Sequence, residues 1–310
     1  MKESGPGSAG EVRFREVVEL LEQNARARRA AEPIERRLPA LAEVETHDLV
    51  IDGPHGPIAG RTYLGPVGRD VGLVWVHGGA FVAGDLDMYE AHWVSLELAA
   101  RGIAVLSLDH QKALGGVHHP VLSDEVLAGW LAAANDVGVL GVPLESLHLG
   151  GASAGANLSA GVALRLRDDG GPAPASLVLV YPTFHAVLPQ AGPDAAEAVT
   201  ALPPEYRFAP DFFRAVNVNY VGNAALLDDP VAFPANGLVE GLPATYILNA
   251  EADDLRSSGE AFAGQLQDAG VAVRVEFEPQ TVHGYLDSAG LPAAVKSLDR
   301  IANWLKGTSM

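Results

Sequence analysis

Cysteine is absent from the 310-residue chain. Its absence excludes disulfide bonds, thiolate zinc sites and a cysteine nucleophile, and it agrees with a reducing cytoplasm. Long apolar runs are absent too, so no segment is predicted to span a bilayer. Residues Met1 to Arg15 are polar and lack the apolar stretch of a signal peptide. We therefore expect a cytoplasmic protein without membrane insertion.

Basic residues are scarce. The chain has 21 Lys and Arg against 39 Asp and Glu, which gives a formal net charge of −18. Such an acidic surface argues against nucleic acid and anionic membranes as partners. It favours a small, neutral or weakly charged molecule as the partner. The length suits one large α/β domain with a small accessory segment. The sequence leaves the oligomeric state open, with a homodimer as one option.

The hydrophobic pattern predicts an α/β fold. After a helical pattern over residues 11–37, residues 44–51 and 58–63 alternate like the strands of a hairpin. Short apolar runs then alternate with helical stretches, as expected for a mostly parallel sheet flanked by helices. Residues 185–243 interrupt this rhythm and hold one predicted helix, at 211–220, so we interpret them as an insertion over the carboxyl edge of the sheet. The predicted strands are residues 71–76, 103–108, 147–149, 177–181, 245–249 and 271–277, and the predicted helices between and after them are 89–100, 124–135, 154–167, 257–269 and 292–306.

A candidate nucleophile lies between a strand and a helix. Gly151-Ala152-Ser153-Ala154-Gly155 fits the pattern G-x-S-x-G, in which a serine on a sharp turn needs small neighbours. The start of the helix adds positive potential near the serine oxygen. A plain Gly-Ser turn into a helix would give the same string, so the motif is weak when taken alone.

Two adjacent glycines follow the predicted strand 71–76. In His77-Gly78-Gly79 the unshielded N–H groups of Gly78 and Gly79, together with that of Ala154, would form an oxyanion hole. We expect His77 to hold this loop through a hydrogen bond to the backbone. The alternative is a tight turn without a catalytic role.

The base and its acid are predicted from chain order. If the triad runs serine, acid, histidine, only His185 and His283 follow Ser153, and His283 comes after a strand with suitable acids before it. Those acids follow strand 245–249: Asp253 is the first choice, Asp254 the second and Glu251 the third. A helix cap is the structural alternative for Asp254. No metal site is predicted, because His110, His118 and His119 lack matching carboxylates and suit a solvated loop.

Together these segments resemble the hormone-sensitive-lipase-like esterases, bacterial family IV of the α/β-hydrolase superfamily. The resemblance implies an α/β-hydrolase catalytic domain over residues 46–310. It also implies a helical cap built from residues 1–45 and an insertion at about 185–235. The chain departs from the family pattern at Ala80, Ala152 and Asp254, which stand where the family has glycine, aspartate and proline. The matching segments are His77-Gly78-Gly79-Ala80-Phe81, Gly151-Ala152-Ser153-Ala154-Gly155-Ala156-Asn157-Leu158, Ala250-Glu251-Ala252-Asp253-Asp254-Leu255-Arg256 and His283-Gly284-Tyr285.

The resemblance implies a serine carboxylic-ester hydrolase for short- to medium-chain esters, with no metal and no cofactor. Ser153, His283 and Asp253 would form its triad. Two alternatives stay open. The same triad would serve an amidase, an arylformamidase or a lactonase, and a non-catalytic ligand-binding homologue would keep the fold without turnover.

Overall fold

An eight-stranded sheet lies at the centre of the molecule. The computed structural model describes residues 9–29, 32–68 and 70–308. The strands in this part of the chain are β1 (Glu45–Gly53), β2 (Gly56–Leu64), β3 (Val71–Val76), β4 (Ile103–Asp109), β5 (Leu147–Ala152), β6 (Leu177–Val180), β7 (Thr245–Ala252) and β8 (Val273–Val282). Their order in the sheet is β1-β2-β4-β3-β5-β6-β7-β8. The pairs β1–β2 and β2–β4 are antiparallel, whereas the pairs from β4 across to β8 are parallel. The prediction of a mostly parallel sheet that begins with a β-hairpin is confirmed.

Helices separate the strands as predicted. In the described part of the chain they are α1 (Ala9–Arg29), α2 (Ile34–Arg37), α3 (His92–Ala100), α4 (Val121–Asn135), α5 (Ala154–Asp169), α6 (Pro193–Thr200), α7 (Pro210–Val221), α8 (Arg256–Asp268) and α9 (Pro292–Gly307). Helices α6, α7 and α9 begin at a proline. Proline suits the first turn because the N–H group that it lacks would have no partner within the helix. Helix α6 was not predicted from the sequence.

The sheet is covered on both faces by apolar side chains. Alternate residues of β3 point to opposite faces: Val74 and Val76 belong to one hydrophobic cluster, Leu73 and Trp75 to the other. Helices α4, α5 and α8 contribute to the first cluster, and α3 and α9 to the second. Every residue of β3, β5 and β6 is buried. This burial explains why these strands have continuous apolar sequences rather than alternating ones.

Helix α1 packs against α7. Gly10 marks a close approach, since a Cβ atom there would lie 2.3 Å from the carbonyl oxygen of Asp211. Phe14 and Val18 of α1 pack, partly buried, against the cluster that includes Phe212 of α7. The two segments predicted to form a cap therefore contact each other. The boundaries of that cap stay predictions, and residues 1–8, 30 and 31 of its first segment lie outside the described residues.

Candidate active site

Ser153 occupies the turn between β5 and α5. Its backbone angles, φ 52° and ψ −116°, lie in a region that residues other than glycine rarely adopt. Neighbouring backbone crowds this turn: a Cβ atom at Gly155 would lie 2.1 Å from the carbonyl oxygen of Val76. A Cβ atom at Gly151 would lie 2.5 Å from the same oxygen. The two glycines of the motif are therefore required by packing, as predicted, and the strained turn projects the serine beyond the sheet.

His283 lies directly after β8, next to Ser153. Its Nε2 atom is 2.9 Å from Ser153 Oγ, a hydrogen-bonding distance. On the other side of the ring, Nδ1 is 2.7 Å from Oδ2 of Asp253. The carboxylate accepts the Nδ1–H proton, so Nε2 is left free to accept the serine proton. The structure thus brings Ser153, His283 and Asp253 together in the order that a catalytic triad requires.

The other acids that were considered have different partners. Asp254, the second choice, accepts hydrogen bonds from Arg207 and from the N–H of Phe208. Glu251, the third choice, accepts a hydrogen bond from the backbone N–H of Gln280 at 2.7 Å. The structure brings neither of them to the histidine ring.

His185, the other histidine after Ser153, lies away from the triad. Its Nδ1 atom is 2.8 Å from the hydroxyl oxygen of Ser258. Burial lowers the pKa of His185 to about 4. This side chain therefore takes no part in the hydrogen-bonded chain at Ser153.

Two opposing effects act on the pKa of His283. Burial of the ring disfavours the charged imidazolium and lowers the pKa, whereas the charge and hydrogen bond of Asp253 raise it. The balance is a pKa above the ordinary value of 6.5. Asp253 is itself only 2% exposed, and its other oxygen, Oδ1, accepts the N–H of Leu255 at 2.9 Å. The acid is therefore held in place independently of the histidine.

The loop after β3 places backbone N–H groups beside Ser153, but not in the way predicted. The N–H of Gly78 donates to Oε1 of Glu90 at 2.6 Å, and Gly78 does not line the cavity at the serine. The prediction of Gly78 as an oxyanion donor is therefore contradicted. Gly79, Ala80 and Ala154 do line that cavity. Within the described residues their N–H groups make no hydrogen bond.

Backbone conformation explains how Ala80 comes to face the cavity. Gly79, Ala80 and Phe81 have φ values of 114°, 53° and 65°, so three successive residues have left-handed backbone. A turn with such a backbone can direct consecutive N–H groups into one concave surface, which suits an anion. Sequence reasoning missed Ala80 because the double glycine directed attention to positions 78 and 79.

Glu90 is a buried carboxyl group that the sequence did not reveal. It is 3% exposed, and it accepts hydrogen bonds from the N–H of Gly78 and the hydroxyl of Tyr181. Burial raises the pKa of this carboxyl group. These contacts tie the loop after β3 to the end of β6. Its nearest sequence signal was a predicted helix start at residue 89, whereas α3 begins at His92 and leaves Glu90 in the preceding turn.

His77 holds the same loop, as predicted. Its Nδ1–H donates to the carbonyl oxygen of Gly78 at 2.7 Å. The ring of His110 stacks on that of His77, with 4.7 Å between the ring centroids. His110 is 1% exposed, so the prediction of a solvated loop is wrong for this histidine. In the part of the chain that the structure describes, no group of three or more His, Asp or Glu side chains is arranged to hold a metal ion.

Comparison with known proteins agrees with this geometry. A family model described as the alpha/beta hydrolase fold matches residues 73–287. This chain belongs to the α/β-hydrolase family. It is 33% identical to esterase LipI of Mycobacterium tuberculosis over 273 residues, which cover 85% of this chain and 82% of the relative. It is 34% identical to carboxylesterase NlhH of the same species over 246 residues, 77% of this chain and 75% of the relative.

Solved structures give the same result for the fold. A hyperthermophilic esterase from the archaeon Pyrobaculum calidifontis is 25% identical and superposes with a TM-score of 0.79, covering 96% of this chain and 91% of that one. A thermostable carboxylesterase from a metagenomic library superposes with a TM-score of 0.80 at 23% identity, covering 96% and 98% of the two chains. The resemblance to hormone-sensitive-lipase-like esterases of bacterial family IV is confirmed.

A cavity opens onto Ser153 in this α/β-hydrolase. Its volume is about 530 Å³, within the range that holds a small ligand. Side chains of α1, α7 and the segment between α6 and α7 line it together with Ser153, His283 and the loop after β3. Two aromatic rings flank the imidazole edge to face: Tyr181 at 5.0 Å and Phe208 at 4.8 Å between ring centroids. The lining residues of α1, α7 and that segment are Arg13, Val17, Leu21, Asn24, Tyr206, Arg207, Phe208, Phe212, Phe213, Val216 and Asn217.

Proposed function

We propose that this α/β-hydrolase is a serine carboxylesterase that hydrolyses short- to medium-chain esters. The observation that carries the proposal is the hydrogen-bonded chain from Ser153 through His283 to Asp253 at the wall of a largely apolar cavity. The relatives named esterase and carboxylesterase support the same activity.

In the first half of the reaction, Ser153 Oγ attacks the ester carbonyl carbon while Nε2 of His283 takes the hydroxyl proton. Asp253 stabilises the resulting imidazolium. The carbonyl oxygen becomes an oxyanion that accepts hydrogen bonds from the N–H groups of Gly79, Ala80 and Ala154. The carbon–oxygen bond to the alcohol then breaks, and Nε2 returns its proton to the departing oxygen, which leaves an acyl-serine.

In the second half, water takes the place of the alcohol. His283 accepts a proton from the water, whose oxygen attacks the acyl carbon, and the same N–H groups hold the second oxyanion. Breakdown releases the carboxylic acid and restores the proton to Ser153 Oγ. The oxygen and one hydrogen of the water become part of the carboxylic acid, and the other hydrogen replaces the serine proton that left with the alcohol. The protein is therefore unchanged after one cycle.

A matched substrate set tests the proposal. We expect p-nitrophenyl acetate to be hydrolysed far faster than p-nitroacetanilide, its amide counterpart, and than γ-butyrolactone. Faster cleavage of the anilide or of the lactone would assign the site to an amidase or a lactonase instead. An absence of turnover on all three, together with a failure of a fluorophosphonate to label the protein, would favour a ligand-binding homologue.

Small neutral esters suit the charge and architecture of the molecule. Among the helices that the structure describes, none combines the length and the apolar character of a membrane-spanning segment. The lack of cysteine supports our proposal of the cytoplasm as the compartment. Subcellular fractionation of the native host tests the compartment, and light scattering in solution tests the homodimer that the sequence leaves open.

A further inference from the structure

The carboxylate of Asp254 is turned away from the triad and towards the segment between α6 and α7. Its two oxygens face the guanidinium of Arg207, with Nε and Nη2 each at 2.9 Å. Oδ2 also accepts the backbone N–H of Phe208 at 2.8 Å. The Asp254 side chain is 14% exposed. A two-pronged, charge-assisted contact of this kind fixes both partners in orientation as well as distance.

The same contacts fix the position of Phe208. Its ring lies edge to face against His283, 4.8 Å between centroids with 77° between the planes. Phe208 also stacks on Phe212 of α7, with 6.0 Å between the ring centroids. Arg207 is tied at a second point, because its Nη1 donates to the carbonyl oxygen of Val199 near the end of α6 at 3.1 Å. The segment is thus held to the loop of the catalytic acid and to α6 at once.

The wall that Phe208 forms lies where the alcohol part of an ester must leave. In the proposed reaction Nε2 of His283 gives its proton to the departing alcohol oxygen, so the alcohol group has to lie beside the imidazole. Phe208 abuts that imidazole and lines the cavity. A ring held there limits the width of the alcohol group that fits.

We propose that Asp254 is a positioning residue for alcohol specificity: through Arg207 and the N–H of Phe208 it holds the Phe208 ring beside the catalytic histidine. This inference rests on the proposed esterase function. A proline at this position, as in the family pattern, has no side-chain acceptor and would leave Arg207 without this partner. Position 254 would therefore tune substrate choice without touching the substrate.

Kinetics with a series of acetates tests the specificity. Ethyl, phenyl and 1-naphthyl acetate share the acyl group and differ in the width of the alcohol. We expect Asp254→Ala and Arg207→Gln each to raise the ratio of kcat/KM for 1-naphthyl acetate to that for ethyl acetate by about 3- to 10-fold. The double variant should show no further rise, because both changes break one contact. Phe208→Ala should raise the ratio at least as much.

The matched control is Asp299→Asn. It removes a carboxylate that forms an ion pair with Arg101 at 2.8 Å, between α9 and the end of α3 and away from the cavity. The control should leave the ratio unchanged. An unchanged ratio in Asp254→Ala and Arg207→Gln, both with wild-type melting temperatures, would overturn the proposal, as would fully additive effects in the double variant.

Hydrogen exchange gives a readout that is independent of turnover. In peptides that cover residue 208, the amide should exchange faster in Asp254→Ala than in the wild type or in Asp299→Asn, because its acceptor is gone. Unchanged exchange at this amide would overturn the positioning contact even if the enzyme is active. If the wild type hydrolysed no ester but the amide still exchanged faster in Asp254→Ala, the proposed function would be overturned. The proposed alcohol specificity would fall with it.

Discussion

Two neighbouring carboxylates at the end of β7 have separate partners. Asp253 points to the histidine and is almost fully buried, whereas Asp254 points to Arg207 on the covering segment. Asp253 follows the last residue of β7 and Asp254 lies in the turn before α8, so the two side chains leave the backbone at different places and meet different partners. The proposed roles of these acids therefore differ although their chemistry is the same.

Substitution by asparagine should separate these roles. We expect Asp253→Asn to lower kcat on p-nitrophenyl acetate by about 10³- to 10⁴-fold, since asparagine favours the wrong histidine tautomer and cannot stabilise the imidazolium. Asp254→Asn should cost less than about tenfold. Steady-state kinetics on both variants is the check. A larger loss in Asp254→Asn would assign the acid to the neighbouring residue.

The pKa of His283 determines the acid side of the pH profile. Catalysis needs the neutral imidazole as base. Burial lowers the pKa of the ring, but the charge and hydrogen bond of Asp253, together with the charges of Glu90 and Asp254, raise it above 6.5. A raised pKa keeps the ring protonated to higher pH, so kcat/KM should fall as the pH drops through a value above 6.5. Asp253→Asn should move this midpoint to lower pH. A wild-type midpoint below 6.5 would contradict the argument.

Among the elements, the loop after β3 is tightly constrained. Gly79 has φ 114°, and a Cβ atom there would lie 2.2 Å from the carbonyl oxygen of Ala83. That oxygen belongs to the backbone and cannot move alone, so a side chain at this position must displace the loop. The adjacent N–H groups proposed to hold the oxyanion would move with it.

We therefore expect Gly79→Ala to lower kcat by about 10²-fold or more, as loss of an oxyanion donor does. The matched control is Gly270→Ala at the end of α8. Gly270 also has positive φ, 74°, but has open space around its Cβ position. Both variants carry backbone strain, so only Gly79→Ala should lose activity beyond its loss of thermal stability. Equal activity in the two variants would argue against the oxyanion role of the loop.

Elements whose signal is local could be predicted from the sequence. The buried strands, α5 and the glycines around Ser153 follow from apolar runs and small residues that are adjacent in the chain. Helix α6 was missed because it has only eight residues and lies in a stretch rich in proline and alanine. Its burial depends on contacts with β7, which are distant in sequence.

The site was predictable to the same extent and for the same reason. Ser153 and His283 follow from chain order and motif, but the choice between Asp253 and Asp254 depends on Arg207, about fifty residues earlier in the chain. Glu90 was missed because its hydrogen bond to Gly78 leaves no periodic signal in the sequence. Ala80 was missed because its position depends on the left-handed backbone of the loop. Contacts between residues that are distant in the sequence determine the roles of these residues.

At the scale of the whole molecule, the size of the cavity should determine acyl preference. The cavity of about 530 Å³ is covered by α1, α7 and the segment before α7. Each methylene that fits gains about 0.8 kcal/mol, and the gain ends when the space is filled. We expect kcat/KM on p-nitrophenyl esters to peak between acetate and hexanoate and to fall steeply beyond. A peak at laurate or longer would contradict a pocket of this limited size.

The central claim is that Ser153 is the nucleophile of an esterase. The most direct measurement combines mass spectrometry after fluorophosphonate treatment with the kcat of Ser153→Ala on p-nitrophenyl acetate. We predict one phosphonyl group per wild-type chain, mapped to Ser153. Ser153→Ala should take no label and lose about 10⁴- to 10⁶-fold in kcat, with an unchanged melting temperature. Label on another residue, or substantial turnover by a folded Ser153→Ala variant, would contradict the account.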